Sequence, residues 1–439
     1  MSNRKQNMEM KKYKLGEIAE IEISGVDKKT KEGEIPVKLC NFVDVYHNWA
    51  ITKDLYDEFM DASARQSEID IYKLKKGQVA FTKDSETRDD IGIPTYIADN
   101  FDDVILGYHT ALVTPNREFL NGKYLNAFMN SRYIQKYFEF NASGSGQRYT
   151  LSNDTLNNIP ILAPDLNTQS KIGELFSSLD KKIALNSRIN ARLEQMAKRL
   201  YEHYFVQFDF PTADGKPYKT SGGKMVYSSE LKREIPEGWE VKSIKSVMDC
   251  DISGDWGQDI QKGNYDYKVN CIRGCDITDM TSLPQRFILT VNSKKLLEEN
   301  DFVIEISGGS PTQSTGRIIQ ITREILDRFN NKLICSNFCR GIRLSNKNYV
   351  SYFNYMWKMF YQNDVFFNYE GKTSGLKNFQ FDTFVNEKWY FPDEKLVKQF
   401  NEVFFQIKKE IDKNELESAR LTSLRDRLLP LLMNGQVSV

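Results

Sequence analysis

The chain has 439 residues, 40% of them hydrophobic and 12% aromatic, enough for two or three packed domains. Lys+Arg and Asp+Glu both number 60, a balance that argues against sequence-independent binding of polyanions but leaves room for specific DNA binding through a local basic surface. No apolar run approaches the ~20 residues that span a bilayer, so no membrane association and a cytoplasmic location are expected.

Residues 1–12 are polar, Met-dotted and lysine-rich. They lack the apolar core of a signal peptide and read as a disordered tail. Residues 13–163 form a mixed front. Stretches such as VILGYHTALVTP alternate like strands, and YLNAFMNSRYIQKYF reads as short aromatic helix. Near its end lies a glycine-rich stretch, Ser143-Gly144-Ser145-Gly146-Gln147-Arg148-Tyr149.

Pro164 breaks the front, and 164–207 reads as one long helix. Ile172, Phe176, Leu179, Ile183, Asn186, Asn190, Leu193, Ala197, Leu200 and Tyr204 recur by threes and fours, the stripe of a coiled coil. Residues 208–235 are rich in Gly, Pro, Lys and Ser without periodicity, so a connecting loop is expected. A second mixed front spans 236–391. From Pro392 to 434 a second helix repeats the stripe through Phe400, Phe404, Ile407, Ile411, Asn414, Ser418, Leu421 and Leu428, with Pro430 and Gly435 expected to close it. Each helix is about forty residues, or ~60 Å at 1.5 Å per residue, and needs the other to cover its apolar stripe.

The chain repeats itself. A shift of 228 positions aligns 124–200 with 352–428 without a gap, pairing Tyr124 with Tyr352, Phe138 with Phe366, Pro164 with Pro392, Phe176 with Phe404, Asn186 with Asn414 and Leu200 with Leu428. The earlier parts of the fronts match only at shifting offsets: Ile23-Ser24-Gly25 echoes Ile252-Ser253-Gly254. Divergent fronts on matched helices suggest two readers of different targets on one mechanical frame.

Catalytic chemistry is missing from the sequence. The three histidines, His47, His109 and His203, sit in unrelated contexts. There is no phosphate-cradling GxxxxGK[ST] loop, no Asn/Asp-Pro-Pro-Tyr/Phe segment and no glycine-rich turn after a strand. Pro392-Asp393-Glu394-Lys395 reads as a helix start, with acidic residues favouring the N-terminal dipole, rather than a nuclease motif. No catalytic residue, cofactor or metal is therefore expected. Cys271/Cys275 and Cys335/Cys339 are spaced four apart, but both pairs lie in strand-like text. On a straight strand such thiols stand roughly 13 Å apart and cannot share zinc unless the chain turns between them; buried structural thiols are expected.

Gly371-Lys372-Thr373-Ser374-Gly375-Leu376-Lys377 occupies the place of the first glycine-rich stretch, and Ser307–Arg317 (SGGSPTQSTGR) is a third, present only in the second front. These are either flexible surface loops or DNA-contacting loops, in which small residues admit close backbone approach while Gln, Arg and Lys reach bases or phosphates. The leading candidates for DNA contact are Gln147, Arg148, Lys372, Thr373 and Lys377, followed by Lys83, Arg88, Gln313 and Arg317. Asn186 and Asn414, polar positions in an apolar stripe, are expected to face the helix pairing and set its register.

The middle of the chain carries Tyr204-Phe205-Val206, Asp209-Phe210-Pro211, Gly215-Lys216-Pro217-Tyr218-Lys219, Ser221-Gly222-Gly223 and Ile235-Pro236-Glu237-Gly238-Trp239. This string resembles the central region of specificity subunits of type I restriction–modification enzymes, and the duplicated plan extends the resemblance over nearly the whole chain. The resemblance implies two α/β target-recognition domains joined by two antiparallel coiled-coil spacer helices. It implies a bipartite double-stranded DNA site as target. It also implies partnership with two DNA methyltransferase subunits, which bind S-adenosylmethionine, and with nuclease–translocase restriction subunits. Two alternatives stand beside it: a specificity-like subunit of another modification or phage-defence system, of the type IIB kind, and a protein-interaction scaffold whose aromatic fronts bind protein.

Overall fold

The structure is a computed structural model that describes residues 9–146, 148–278, 280, 282–310, 312–330, 332–373 and 376–437. The chain divides into two units. One comprises Met1–Leu185 with Glu417–Val439, the other Asn186–Leu416. The division falls inside the two long helices, so each unit contains one front and a stretch of both helices.

In the first unit a five-stranded sheet runs in the order Ala19–Ile23, Thr110–Pro115, Val79–Thr82, Pro94–Ile97, Ala50–Ile51. Its inner strands Val79–Thr82 and Pro94–Ile97 are buried at every residue, as expected of strands covered on both faces. The edge strand Ala19–Ile23 instead alternates between half-buried and exposed. A second sheet orders Met60–Ala64, Ile35–Cys40, Val104–Leu106, and a third orders Ser143–Ser145, Arg148–Thr150, Asp84–Ser85. Helix Gly122–Met129 starts on Asn121, whose side chain accepts from the N–H groups of Lys123 and Tyr124. It buries Tyr124, Leu125, Phe128 and Met129 in a core shared with Ile172 and Phe176 of the first long helix and Leu429, Leu432 and Met433 of the second.

The second unit repeats this plan of three sheets, with four strands rather than five in its main sheet. Its main sheet orders Met248–Ser253, Cys339–Leu344, Phe302–Glu305, Ile318–Gln320; its second orders Gln285–Leu289, Tyr265–Ile272, Leu333–Cys335; its third orders Ser307–Gly308, Leu376–Phe379, Glu370–Thr373. In both units the middle strand of the second sheet pairs antiparallel on one side and parallel on the other. Helix Val350–Gln362 fills the core of this unit with Tyr352, Phe353, Met356 and Trp357. The duplication seen in the text is therefore a duplication of fold that reaches into the fronts, where identity had faded.

The first long helix spans Leu166–Tyr201 and continues as a π-helical turn, Glu202–Val206; the second spans Glu394–Met433. Each opens on an aspartate one position after the proline. Asp165 accepts from the N–H groups of Asn167 and Thr168, and Asp393 accepts from that of Leu396. Within the second unit the helices pair antiparallel: Asn186 meets residue 414, Asn190 meets residue 411, and Tyr201 lies against Phe400. Within the first unit Lys182 bridges to Glu417 at 3.1 Å, again in opposed directions.

Four expectations need correction. Residues 11–12 are not tail: Lys11–Lys14 is a strand paired with Pro160–Ala163, which satisfies its backbone, while residues 1–8 lie outside the described residues. The segment 208–235 is not only a loop. Met225–Ser228 and Arg233–Pro236 form a hairpin, and Phe208 and Phe210 pack on Trp239; its glycines and lysines hide these few anchors from a periodicity reading. The second helix does not stop at Pro430 but runs three residues past it. It closes where Gly435 adopts φ +67° and Gln436 N–H bonds the carbonyl of Leu431, a Schellman cap. Finally, neither cysteine pair lies on one straight strand. Cys335 ends one strand and Cys339 begins the next, and Cys275 sits on a short 3₁₀ turn after the strand of Cys271.

Candidate nucleic-acid interface

The two glycine-rich stretches fold as hairpins in equivalent places, each backed by a third short strand. In the first, Ser145 pairs with Arg148, and Thr150 pairs with Asp84 of the backing strand. Two glycines are required here. Gly144 has φ +147°, and a Cβ on it would lie 2.1 Å from the Arg148 carbonyl oxygen; Gly146 takes the turn with φ +54°. In the second hairpin Lys372 pairs with Lys377 and Thr373 with Leu376, and the backing strand contributes Ser307 and Gly308.

The first hairpin delivers Arg148 to a cluster drawn from three segments. Asp84 is 8% exposed and gathers three cations or donors: Lys83 Nζ at 3.2 Å, Arg148 Nη2 at 3.1 Å and His109 Nδ1 at 2.5 Å. Lys83 also donates to Thr150 Oγ1 at 2.9 Å. Burial pushes the Asp84 carboxyl up, but hydrogen bonds from Thr150 and His109 and the charge of Lys83 outweigh it, holding the group below its ordinary value as a carboxylate. Arg148 Nη2 also reaches both ring nitrogens of His109. Arg88 is exposed and stacks its guanidinium over Tyr149, 5.0 Å from the ring centre.

In the second unit the basic candidates are tied down by acids. Lys377 lies 3.2 Å from Glu370, donates to the Gln313 carbonyl and sits 4.7 Å over the Phe367 ring. Arg317 makes a two-pronged pair with buried Glu305 at 2.7 and 2.8 Å. Glu370 further accepts from the N–H and hydroxyl of Thr315, pinning the third glycine-rich stretch beneath the hairpin. Gln313 is exposed on that stretch. Gln147 lies outside the described residues. Lys372 and Thr373 are placed by their backbones in the hairpin, and their side chains lie outside the described residues.

Asp84, Tyr108 and His109 escaped the sequence reading. Their signal was thin: a Gly107-Tyr108-His109 turn ahead of a strand, with His109 at φ +69°.

On the paired helices, Asn186 is 1% exposed and its amide donates to the Asn414 carbonyl at 3.3 Å. The Asn414 side-chain amide donates to Asn190 Oδ1 at 2.8 Å.

Among the described residues no group of three or more His, Cys, Asp or Glu is arranged to hold a metal, and no helix is long and apolar enough to cross a membrane. Burial pushes the Cys271 and Cys335 thiols up to about 12, and raises Cys339 as well.

Residues 7–195 match the family model described as the type I restriction modification DNA specificity domain. The chain is 23% identical over 345 residues to the MjaIX type I restriction enzyme specificity subunit of Methanocaldococcus jannaschii, covering 74% of this chain and 73% of that protein. It is 23% identical over 422 residues to the HindI specificity subunit of Haemophilus influenzae, covering 83% of this chain and 87% of that one. The crystal structure of the type I restriction–modification S subunit from M. genitalium superposes with a TM-score of 0.60 at 14% identity, covering 98% of each chain, and so shares the fold. Residues 7–195 thus match the type I restriction modification DNA specificity domain, and the chain as a whole is similar to specificity subunits of type I restriction enzymes.

Proposed function

We propose that this chain reads a split DNA sequence, one half-site by each front, for partner subunits that carry out methylation and cleavage. The observation that carries this reading is the repeated hairpin on a backing strand. Both units build it at the same place in the same topology, yet fill it with different chemistry: Arg148, His109 and Asp84 in one, Lys377, Glu370 and Arg317 in the other. Same scaffold and different side chains is what two readers of unlike half-sites require. The candidate contacts are Gln147, Arg148, Lys83 and Arg88 on one side and Lys372, Thr373, Lys377, Gln313 and Arg317 on the other. Two DNA methyltransferase subunits and restriction subunits would supply the chemistry, in line with the missing catalytic motifs, and the paired helices would fix the number of base pairs between half-sites.

The test exchanges residues 13–163 for the corresponding front of a similar specificity subunit and maps methylated sites across the genome. One half of the motif changes and the other stays. Change in both halves, or in neither, defeats the modular reading. A salt titration adds a second check: phosphate contacts give a steep linear fall of log affinity with log salt.

A further inference from the structure

We propose that Asp84, His109 and Arg148 form a guanine-reading site in the first front, with Arg148 taking the base edge and Asp84 and His109 holding its guanidinium in position. The inference rests on the DNA-reading proposal and adds to it a residue assignment and a base.

The three side chains line one open cleft with Lys83, Tyr108 and Thr150. They come from the backing strand, the turn before Thr110 and the hairpin, so the cluster exists only once three sheet segments meet. His109 stands at φ +69°, a left-handed conformation uncommon for a residue with a side chain and concentrated where surrounding structure enforces it for function. The enforcement is visible: its Nδ1 is 2.5 Å from Asp84 and its ring abuts Arg148. Asp84 is almost buried and already engaged by Lys83, His109 and Arg148. Its acceptor positions are spent inside the protein, which makes it a positioning residue. The Arg148 side chain, by contrast, keeps 58% of its surface exposed, and Asp84 and His109 engage it through one terminal nitrogen. The remaining N–H groups of a guanidinium held in this way suit the paired O6 and N7 acceptors of guanine in the major groove, a geometry that lysine cannot reproduce. In the second unit the corresponding positions hold Phe338 and Leu376, so that half must read its target by other means.

The experiment maps methylated sites in cells carrying the complete system with Arg148→Lys, Asp84→Asn or His109→Asn, the last because asparagine tolerates the left-handed conformation. All three variants are expected to relax the same single G·C position, by about ten- to a hundredfold, and to leave the other half-site unchanged. An unaltered motif, a relaxed position that differs between variants or is A·T, or uniform loss of methylation at every site overturns the proposal; uniform loss is the mark of a phosphate contact. Thermal melting accompanies each variant. Should Asp84→Asn or His109→Asn fail to fold, the half-exposed Arg148→Lys decides alone. Exchange of residues 13–163 is run in parallel. A half-site that changes on exchange but not in the three variants sinks this inference and leaves DNA reading intact, whereas an exchange without effect sinks the DNA reading itself.

Discussion

The side-chain amide of Asn414 donates to the side-chain oxygen of Asn190 across the helix pair, at 2.8 Å. Asn190 in turn donates to the Ile411 carbonyl and Asn186 to that of Asn414. Polar groups bonded in this way inside a pairing of helices favour one register, because a slip by one turn leaves them buried without partners.

Asn414→Leu is therefore expected to change stability by less than about 1.5 kcal/mol while loosening register. A library of sites with varied spacing between half-sites, scored for methylation, should show broader tolerance in the variant than in the parent. Identical spacer preference would remove Asn414 from any role in register.

Further along the same pair, Asp412 is 1% exposed and its carboxylate lies 2.8 Å from Lys408. Burial lowers the Lys408 pKa, but the charge and hydrogen bond of Asp412 outweigh this and raise it overall. Lys408→Met strands a buried carboxylate and is expected to cost about 3–5 kcal/mol. Adding Asp412→Leu should recover most of that loss. Urea unfolding of the single and double variants decides, and equal stabilities would show the pair to be uncoupled.

Burial raises the Asp180 carboxyl to about 6, against the pull of Arg425. Its folded value stands above the unfolded value of about 4. Its contribution to stability is thus complete below about pH 4 and is lost as pH rises through 6. Asp180→Asn removes the titration, so its advantage over the parent should grow between pH 4 and 7, to at most about 2–3 kcal/mol. Melting temperatures of both proteins across that range test this, and parallel curves would contradict it.

Lys377→Ala removes the cation from buried Glu370 and the donor from the Gln313 carbonyl. The expected result is relaxed reading in the second half-site, worth about 1–3 kcal/mol, with the first half-site untouched. Relaxation in the first half-site would break the assignment of one hairpin to each half.

Cys275 is exposed, whereas Cys40, Cys271, Cys335 and Cys339 are buried and Cys250 is intermediate. A thiol reagent on the native protein should modify Cys275 first and reach the four buried thiols only on unfolding. Rapid modification of Cys271 or Cys335 in the native state would contradict the packing described.

Much of the frame was legible in the sequence, because long helices and duplication write themselves as periodicity and offset. Phe176 and Phe404, or Pro164 and Pro392, announce both. The glycine-rich hairpins were legible for the same reason, as Gly144 and Gly146 are demanded by local geometry. The cluster around Asp84 was not. Arg148 lies 64 residues from Asp84, and His109 lies 25; only the pairing of strands joins them, and strand pairing leaves no periodic mark. Basic residues also looked free in the text when they are not: Arg317 is held by Glu305, twelve positions upstream, a pairing set by sheet register.

Leu429, Leu432 and Met433 complete the core of the first unit, whereas the second unit is one unbroken stretch, Asn186–Leu416. On the ribosome this reverses the order in which the two can mature. The front translated first cannot complete its core until the final turns of the second long helix emerge, by which time every residue of the other unit is already available to fold. The half of the molecule made first is thus finished last, and its quality depends on translation running through to Met433.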